Sequence, residues 1–217
     1  MHVTIIAKAP VAGAVKTRLC PPCTPEQAAR VAAAALADPV TAVEEGAAAT
    51  GARRVLLLDG AGQDWMPTTF EVVSQRGDGL GQRLCNGFVD LGPGVIVGME
   101  TPHVVPALAG AIEAASCGVD TIGLALDGGY WMIGLCAESA AMAPDLFEGL
   151  TMSATHTGLS QIGRLHAHGR RVRLLPTARD LDTVEDLKAV AALRGGGTLA
   201  AVAAEVLATV FGCFGVE

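Results

Sequence analysis

The sequence has few basic residues. Lysine and arginine total 15 against 22 aspartates and glutamates, so the formal net charge is −7 and the pI is about 5.2. A protein that binds nucleic acid through its phosphates needs a basic face, so we expect no nucleic-acid partner. The 217 residues are 51% hydrophobic and 17% charged, which is typical of a folded globular chain and excludes a disordered or fibrous one.

The sequence also lacks an apolar run of about 18 residues free of charged and turn-forming residues, the length that a membrane-spanning helix needs. The segment 198–216 comes closest, but Glu205, Gly212 and Gly215 interrupt it, which favours an amphipathic or buried helix. The N-terminus shows no charged region ahead of a long apolar segment, so no signal peptide is predicted. We therefore expect a cytoplasmic protein without a membrane span.

A second close pair of cysteines is missing. Of the six cysteines, Cys20 and Cys23 alone form a C-x-x-C, whereas a zinc ribbon needs two such pairs. A thioredoxin-like motif would usually stand at the start of a helix, and here two prolines separate the cysteines. We interpret the six as ordinary reduced thiols.

Two widespread phosphate-binding motifs are absent as well. A Walker A loop requires G-x-x-x-x-G-K-[ST], but Lys16 and Thr17 follow Val15, and position 11 is also valine. A Rossmann fingerprint follows the first strand, whereas the similar string at 77–81 follows the third predicted strand and has the wrong final spacing. We therefore expect neither a P-loop ATPase nor a dehydrogenase.

Apolar segments alternate with helical patterns along the whole chain. Strands are predicted at 3–7, 53–60, 69–75, 94–99 and 171–176, and two more within 120–135, joined through 127–129. Helices are predicted at 23–46, 79–92, 101–115, 153–169 and 182–197, followed by a helical tail. The first helix has a capping box, with Thr24 as N-cap, Pro25 at the first position and Gln27 at the third. This order predicts an α/β protein with a mostly parallel sheet covered on both faces. We expect one domain over 1–217, with 198–217 as a C-terminal helical tail.

Three cations surround a loop of small residues after the first predicted strand. Lys8 follows the strand, Lys16 and Arg18 close the loop, and the positions between them carry little bulk. Ligands of open α/β sheets lie beyond the carboxyl ends of the strands, and backbone N–H groups and cations there suit a diphosphate or triphosphate. The alternative is a basic surface loop that contacts only water.

Acidic residues follow several other predicted strands. Glu100 follows "GVIVG", Asp127 follows "TIGLAL", and Asp180 and Asp182 follow "RLLPTAR". Carboxylates that face a basic loop could hold a divalent cation against phosphate oxygens. Each also has a structural alternative: a helix start for Glu100, a turn for Asp127 and a helix cap for Asp182.

The order of five motifs resembles a known family. These motifs are "AKAPVAGAVKTRL", "GDGLGQRL", "VGMETPHV", "LALDGGYWMIGL" and "DLDTVEDL", and the resemblance covers roughly 2–193. They resemble small bacterial glycosyltransferase-A-like (GT-A) proteins, often labelled as glycosyltransferases of the arsenosugar-biosynthesis type. That family is similar to the nucleotidyltransferases that make molybdenum-cofactor dinucleotides and phospholactyl-guanosine diphosphate.

The resemblance implies a fold and a set of functional residues. The fold is a three-layer α/β/α sandwich of GT-A type with a mixed, mostly parallel sheet, and the cofactor is Mg²⁺ or Mn²⁺. The residues implied in nucleotide and phosphate binding are Lys8, Ala9, Pro10, Gly13, Lys16, Arg18, Gly79, Leu80, Gly81 and Arg83. Asp127 and Lys16 are implied in catalysis, Glu100 and Asp182 in metal binding, and Gly128, Gly129 and Tyr130 on the acceptor side.

Two adjacent residues depart from the family pattern. Relatives usually carry Ser-Asp after the glycine of the fourth strand, where this chain has Met99 and Glu100. Glu100 keeps the carboxylate but adds a methylene, and Mg²⁺ tolerates little geometric error, whereas Mn²⁺ and Ca²⁺ accept looser geometry.

Three functions follow as hypotheses. The first is a metal-dependent transferase that uses a nucleotide-sugar donor and a small-molecule acceptor. The second is a nucleotidyltransferase that joins a nucleoside monophosphate to a phosphorylated acceptor and releases pyrophosphate. The third is a non-catalytic nucleotide-binding relative, suggested by Glu100. A homodimer stays open as a further hypothesis.

Overall fold

A seven-stranded sheet organises the molecule. The computed structural model describes residues 1–61, 66–100, 106–192 and 197–212. The strands are β1 (His2–Lys8), β2 (Arg53–Asp59), β3 (Glu71–Ser74), β4 (Gly94–Gly98), β5 (Asp120–Ala125), β6 (Tyr130–Leu135) and β7 (Val172–Ala178). They lie in the order β3-β2-β1-β4-β6-β5-β7, and of these seven β6 alone runs antiparallel to its neighbours.

Eight helices accompany these strands in the described residues. They are α1 (Pro25–Thr50), α2 (Leu80–Leu91), α3 (Pro106–Ser116), α4 (Ala137–Ala141), α5 (Ala143–Phe147), α6 (Thr157–Ala167), α7 (Val184–Ala191) and α8 (Gly197–Phe211). A short 3-10 helix, Thr17–Leu19, follows the β1 loop. None of the described helices combines the length and the apolar character that crossing a bilayer requires.

Alternate residues of each central strand pack on opposite faces of the sheet. Val95 and Val97 of β4 belong to a buried cluster that includes residues of α1 and α3. Ile96, between them, belongs to a second cluster with residues of α2, α4, α5 and α6. Helices therefore cover both faces, and the predicted α/β/α sandwich with a mostly parallel, mixed sheet is confirmed.

The predicted capping box starts α1. The Thr24 hydroxyl accepts a hydrogen bond from the Gln27 N–H at 3.2 Å, and the Gln27 side chain accepts one from the Thr24 N–H at 2.8 Å. The helix contains Pro39 and runs four residues beyond its predicted end at 46, to Thr50. Gly51, with φ 69°, caps its C-terminus.

Other predicted boundaries differ from the structure. Two short helices, α4 and α5, occupy a segment for which no helix was predicted, because each has only five residues and too little periodicity to recognise. The predicted helix start at 101–105 and the region 193–196 lie outside the described residues. The tail forms α8, which packs through Leu199 and Ala203 against α1, α7, Leu19 and Leu181.

Strand order places the acidic strand ends around the β1 loop. β1 lies between β2 and β4, so the loop after Lys8 is flanked by Asp59 and by the segment that leads to Glu100. β4 and β5 both pair antiparallel with β6, so they run in the same direction, and β7 runs parallel to β5. The carboxyl ends of β5 and β7 therefore open at the same edge as those of β1 and β4, and β6 begins there.

Candidate functional site

A cleft of about 580 Å³ opens at this edge of the sheet. Most of the residues predicted to act in the site line it: Lys8, Lys16, Arg18, Gly79, Leu80, Arg83, Glu100, Asp127, Gly129, Tyr130 and Asp182. Residues from five separate segments thus meet in one cavity, as expected for strand ends in an α/β sheet.

The most buried of these charges is Lys16. Its side chain is only 2% exposed, and the ammonium lies 2.5 Å from Glu100 Oε1 and 3.8 Å from Asp182 Oδ1. The same ammonium donates a hydrogen bond to the Leu181 carbonyl. Lys16 adopts a left-handed backbone with φ 52°, uncommon for a residue other than glycine, and this turn directs the chain into the 3-10 helix.

The two other cations of the loop differ in their partners. Arg18 is 77% exposed and donates to Asp182 Oδ2 at 2.9 Å. Lys8 is exposed in the cleft, and its ammonium has no hydrogen bond or ion pair with any described residue. Among the described residues, Lys8 is therefore unpaired, Arg18 forms a surface ion pair and Lys16 forms a buried one.

Arg83, from the segment that follows β3, forms a third charged pair at the cleft. Its Nη1 lies 2.5 Å from Asp59 Oδ2 and 3.1 Å from Gln75 Oε1. Gln75 in turn donates to the carbonyls of Ala7 and Leu57, at 2.8 and 2.9 Å, which fixes it across three strand ends. Arg83 is a predicted site residue and Gln75 is not, because the hydrogen bonds of Gln75 form only where the three strands are adjacent.

Asp127 stands in the turn between β5 and β6. Its Oδ1 accepts a hydrogen bond from the Gly129 N–H at 2.8 Å, so the turn is held by the side chain, and the carboxylate still lines the cleft. Tyr130 lines the cleft as well, but its hydroxyl lies 3.4 Å from Gln161 Oε1, and burial raises its pKa above the ordinary value.

Asp180 is an additional acidic residue of the cleft. Burial raises its pKa to about 7, and the nearby charges of Asp127, Glu100 and Asp182 contribute in the same direction, opposed by Lys16. Asp180 follows a predicted strand, but it is not among the predicted site residues. Its burial depends on how the loop after β7 folds back, which no local pattern reveals.

Five predicted positions are not among the described residues that line the cleft: Ala9, Pro10, Gly13, Gly81 and Gly128. Gly81 lines an adjoining cavity instead. Gly128 has a structural role, since a Cβ added there would lie 2.0 Å from the Thr155 carbonyl oxygen and its φ is 92°.

The donors in the cleft suit a hard divalent cation. Glu100, Asp127, Asp180 and Asp182 offer carboxylate oxygens, the ligands that Mg²⁺ and Mn²⁺ accept. Within the described ranges, no group of three or more His, Cys, Asp or Glu side chains is arranged to bind one metal ion. The positive charge beside Glu100 is the ammonium of Lys16.

The comparison with family models assigns the chain. Residues 27–154 match the family described as "Uncharacterized protein conserved in bacteria (DUF2064)". The chain belongs to this family. No curated protein matches the sequence. The match begins in α1 and ends before α6, so it contains Glu100 and Asp127 but not the β1 loop.

Solved structures extend the likeness of this DUF2064 member to its full length. A "putative nucleotide-diphospho-sugar transferase" from Desulfovibrio desulfuricans G20 is 22% identical, and the alignment covers 100% of both chains with a TM-score of 0.83. Rv0371c from Mycobacterium tuberculosis H37Rv is 18% identical over 88% of this chain and 98% of its own, with a TM-score of 0.52. The likeness shows the fold, and the predicted nucleotide-diphospho-sugar transferase type of fold is confirmed.

Proposed function

We propose that the protein is a transferase that binds a nucleotide-diphosphate sugar in the cleft, together with a divalent metal ion, and transfers the sugar to a small-molecule acceptor. The observation that carries the proposal is the meeting of the β1-loop cations with four carboxylates in one cavity. The full-length likeness to a structure described as a "putative nucleotide-diphospho-sugar transferase" supports the choice of substrate class.

The charge balance of the cleft favours a metal-bound donor over a free diphosphate. Lys16, Arg18 and Arg83 already have carboxylate partners, which leaves Lys8 as the one unpaired cation among the described lining residues. A diphosphate would add negative charge to a cavity that is already crowded with carboxylates, which is unfavourable without a further cation. A divalent metal held by Glu100 and Asp182 would neutralise the leaving diphosphate when bound.

The chain's own residues then have distinct tasks. Lys8 and Arg18 lie where they can bind phosphate oxygens, and Arg18 can do so with two parallel hydrogen bonds. Asp127 is fixed by the Gly129 N–H on the side of the cleft where β6 begins, which is the side we assign to the acceptor. The cleft achieves catalysis mainly by positioning and by charge stabilisation.

The test is a turnover screen. The purified protein is incubated with UDP-, GDP-, ADP-, CDP- and dTDP-sugars plus Mn²⁺ or Mg²⁺, with water taking the sugar in place of the acceptor, and release of the nucleoside diphosphate by this slow hydrolysis is followed. Release from at least one sugar nucleotide is the expected result. Pyrophosphate release from a nucleoside triphosphate, with every sugar nucleotide left intact, would overturn the proposal in favour of nucleotidyl transfer. Binding of nucleotides with no turnover of either kind would overturn it in favour of a non-catalytic binding protein.

A further inference from the structure

The ammonium of Lys16 lies where a cation of the proposed site would lie. It is 2.5 Å from Glu100 Oε1 and 3.8 Å from Asp182 Oδ1, the two carboxylates that the resemblance implies in metal binding. Its third partner is the Leu181 carbonyl, another oxygen ligand. The ammonium therefore contacts Glu100 and the Leu181 carbonyl directly, while Asp182 at 3.8 Å is beyond hydrogen-bond distance and acts through its charge.

This arrangement leaves Lys16 unable to bind phosphate as it stands. The side chain is 2% exposed, and its ammonium is held by Glu100 and by the Leu181 carbonyl. Lys8 differs, because it is exposed and has no partner among the described residues. If Lys16 is to contact a donor phosphate, it has to leave Glu100 first.

We propose that Lys16 is a built-in counterion of the site, which a divalent metal displaces from Glu100 and Asp182, and that the released ammonium then binds the donor's diphosphate. The inference rests on the proposed function, because that function supplies the metal and the diphosphate. The proposal adds that metal and nucleotide bind cooperatively, because the metal releases the Lys16 ammonium, which then binds the diphosphate of the nucleotide.

Electrostatics makes the two cations exclusive. A divalent ion and an ammonium that share the same carboxylates at contact distance repel each other. Lysine is suited to such an exchange, because its ammonium is a point charge on a flexible stem of four carbons. The neighbouring loop residue Arg18 has its own contact with Asp182 at 2.9 Å, so the loop stays tethered when Lys16 moves.

The direct test measures Mn²⁺ binding without any nucleotide. Mn²⁺ is titrated into wild type, Lys16→Met and Lys188→Met, and the bound fraction is read from the electron paramagnetic resonance signal of the free ion. Methionine keeps the length of the side chain and removes its charge. Lys188 lies on α7 over the Phe211 ring and serves as the control for loss of a positive charge.

Loss of the competing ammonium should tighten Mn²⁺ binding in Lys16→Met by about tenfold or more, with Lys188→Met close to wild type. Equal or weaker Mn²⁺ binding by Lys16→Met would overturn the proposal. No nucleotide is present, so a failed turnover screen would overturn the proposed function and leave this result standing.

A second measurement uses the wild-type protein, so it does not depend on the folding of a variant. Amine acylation of Lys16 is quantified by peptide mass spectrometry with and without Mn²⁺. Release from the two carboxylates should raise the labelling of Lys16 several-fold, and a nucleoside diphosphate that binds in the cleft should lower it again. Labelling of Lys16 that does not respond to Mn²⁺ would overturn the displacement.

Discussion

Asp127 combines two roles in one side chain. Its Oδ1 holds the turn into β6 by accepting the Gly129 N–H, while its charge reaches into the cleft and contributes to the raised pKa of Asp180. A turn former needs only an acceptor oxygen, whereas a functional carboxylate needs the charge. Substitution by asparagine separates the two.

Asp127→Asn should lower sugar-nucleotide turnover about tenfold or more, the order of effect expected when one well-placed charge is removed from a site. The melting temperature should stay within about 2 °C of wild type, because the amide oxygen can still accept the Gly129 N–H. Turnover kinetics and thermal unfolding are measured together, with Asp145→Asn on α5 as the control. A large loss of stability with turnover per folded molecule unchanged would make Asp127 a turn residue only.

At the residue scale, the sequence identified positions but not partners. Strand-end placement singled out Lys16, Glu100 and Asp182, and all three line the cleft. Their ion pairs join residues 84 and 166 positions apart, and Lys16 reaches them from a left-handed backbone conformation. Neither these contacts between distant residues nor the left-handed conformation of Lys16 produces a local pattern in the sequence.

Among the elements, β1 carries a buried titratable group far from the cleft. His2 is fully buried, with Nδ1 2.7 Å from Thr4 Oγ1 and Nε2 3.0 Å from the Gly92 carbonyl. Burial lowers its pKa from 6.5 to about 4, despite the opposing hydrogen bond to Gly92. The folded state therefore binds a proton on His2 less readily than the unfolded chain does.

His2 should lower stability as the pH drops through this window, whereas Asp180, whose pKa burial raises to about 7, acts in the opposite direction, so the effect of His2 is read as the difference between wild type and a His2 variant. Above pH 6.5 His2 is neutral in both states; between pH 6.5 and about 4 the unfolded chain takes up the proton first, at a cost to the folded state of up to about 3 kcal/mol. Urea unfolding at a series of pH values measures the loss. His2→Gln should show a smaller loss over that window, and the exposed control His166→Gln should follow wild type. Identical pH dependence in His2→Gln and wild type would contradict this account of β1.

Elements were predicted well where their periodicity was clear. The capping box of α1 and the two strands within 120–135 are present as expected, with the antiparallel β6 between β4 and β5. The short helices α4 and α5 were missed, since five residues cannot display a helical period. The packing of α8 beneath Leu19 and Leu181 was also not foreseen, because it joins distant parts of the chain.

In the molecule as a whole, one buried cluster supports both sides of the cleft. Leu19 follows the β1 loop and Leu181 precedes Asp182, and both side chains are fully buried against α1, α7 and α8. The loops that carry Lys16 and Asp182 are therefore anchored in the same buried cluster. This shared packing explains how the loop after the edge strand β7 reaches the loop after the central strand β1.

The central claim is that the cleft binds a nucleotide sugar through the β1-loop cations. Its most direct test is calorimetric titration of the sugar nucleotides with Mn²⁺ into wild type and the double variant Lys8→Ala/Arg18→Ala, with Arg30→Ala, whose partner Glu205 lies on α8, as control. Wild type and control should bind at least one sugar nucleotide with equal affinity, and the double variant at least about a hundredfold more weakly, as expected for two charge-assisted contacts. Binding of no sugar nucleotide, or equal binding by the double variant, would contradict the claim.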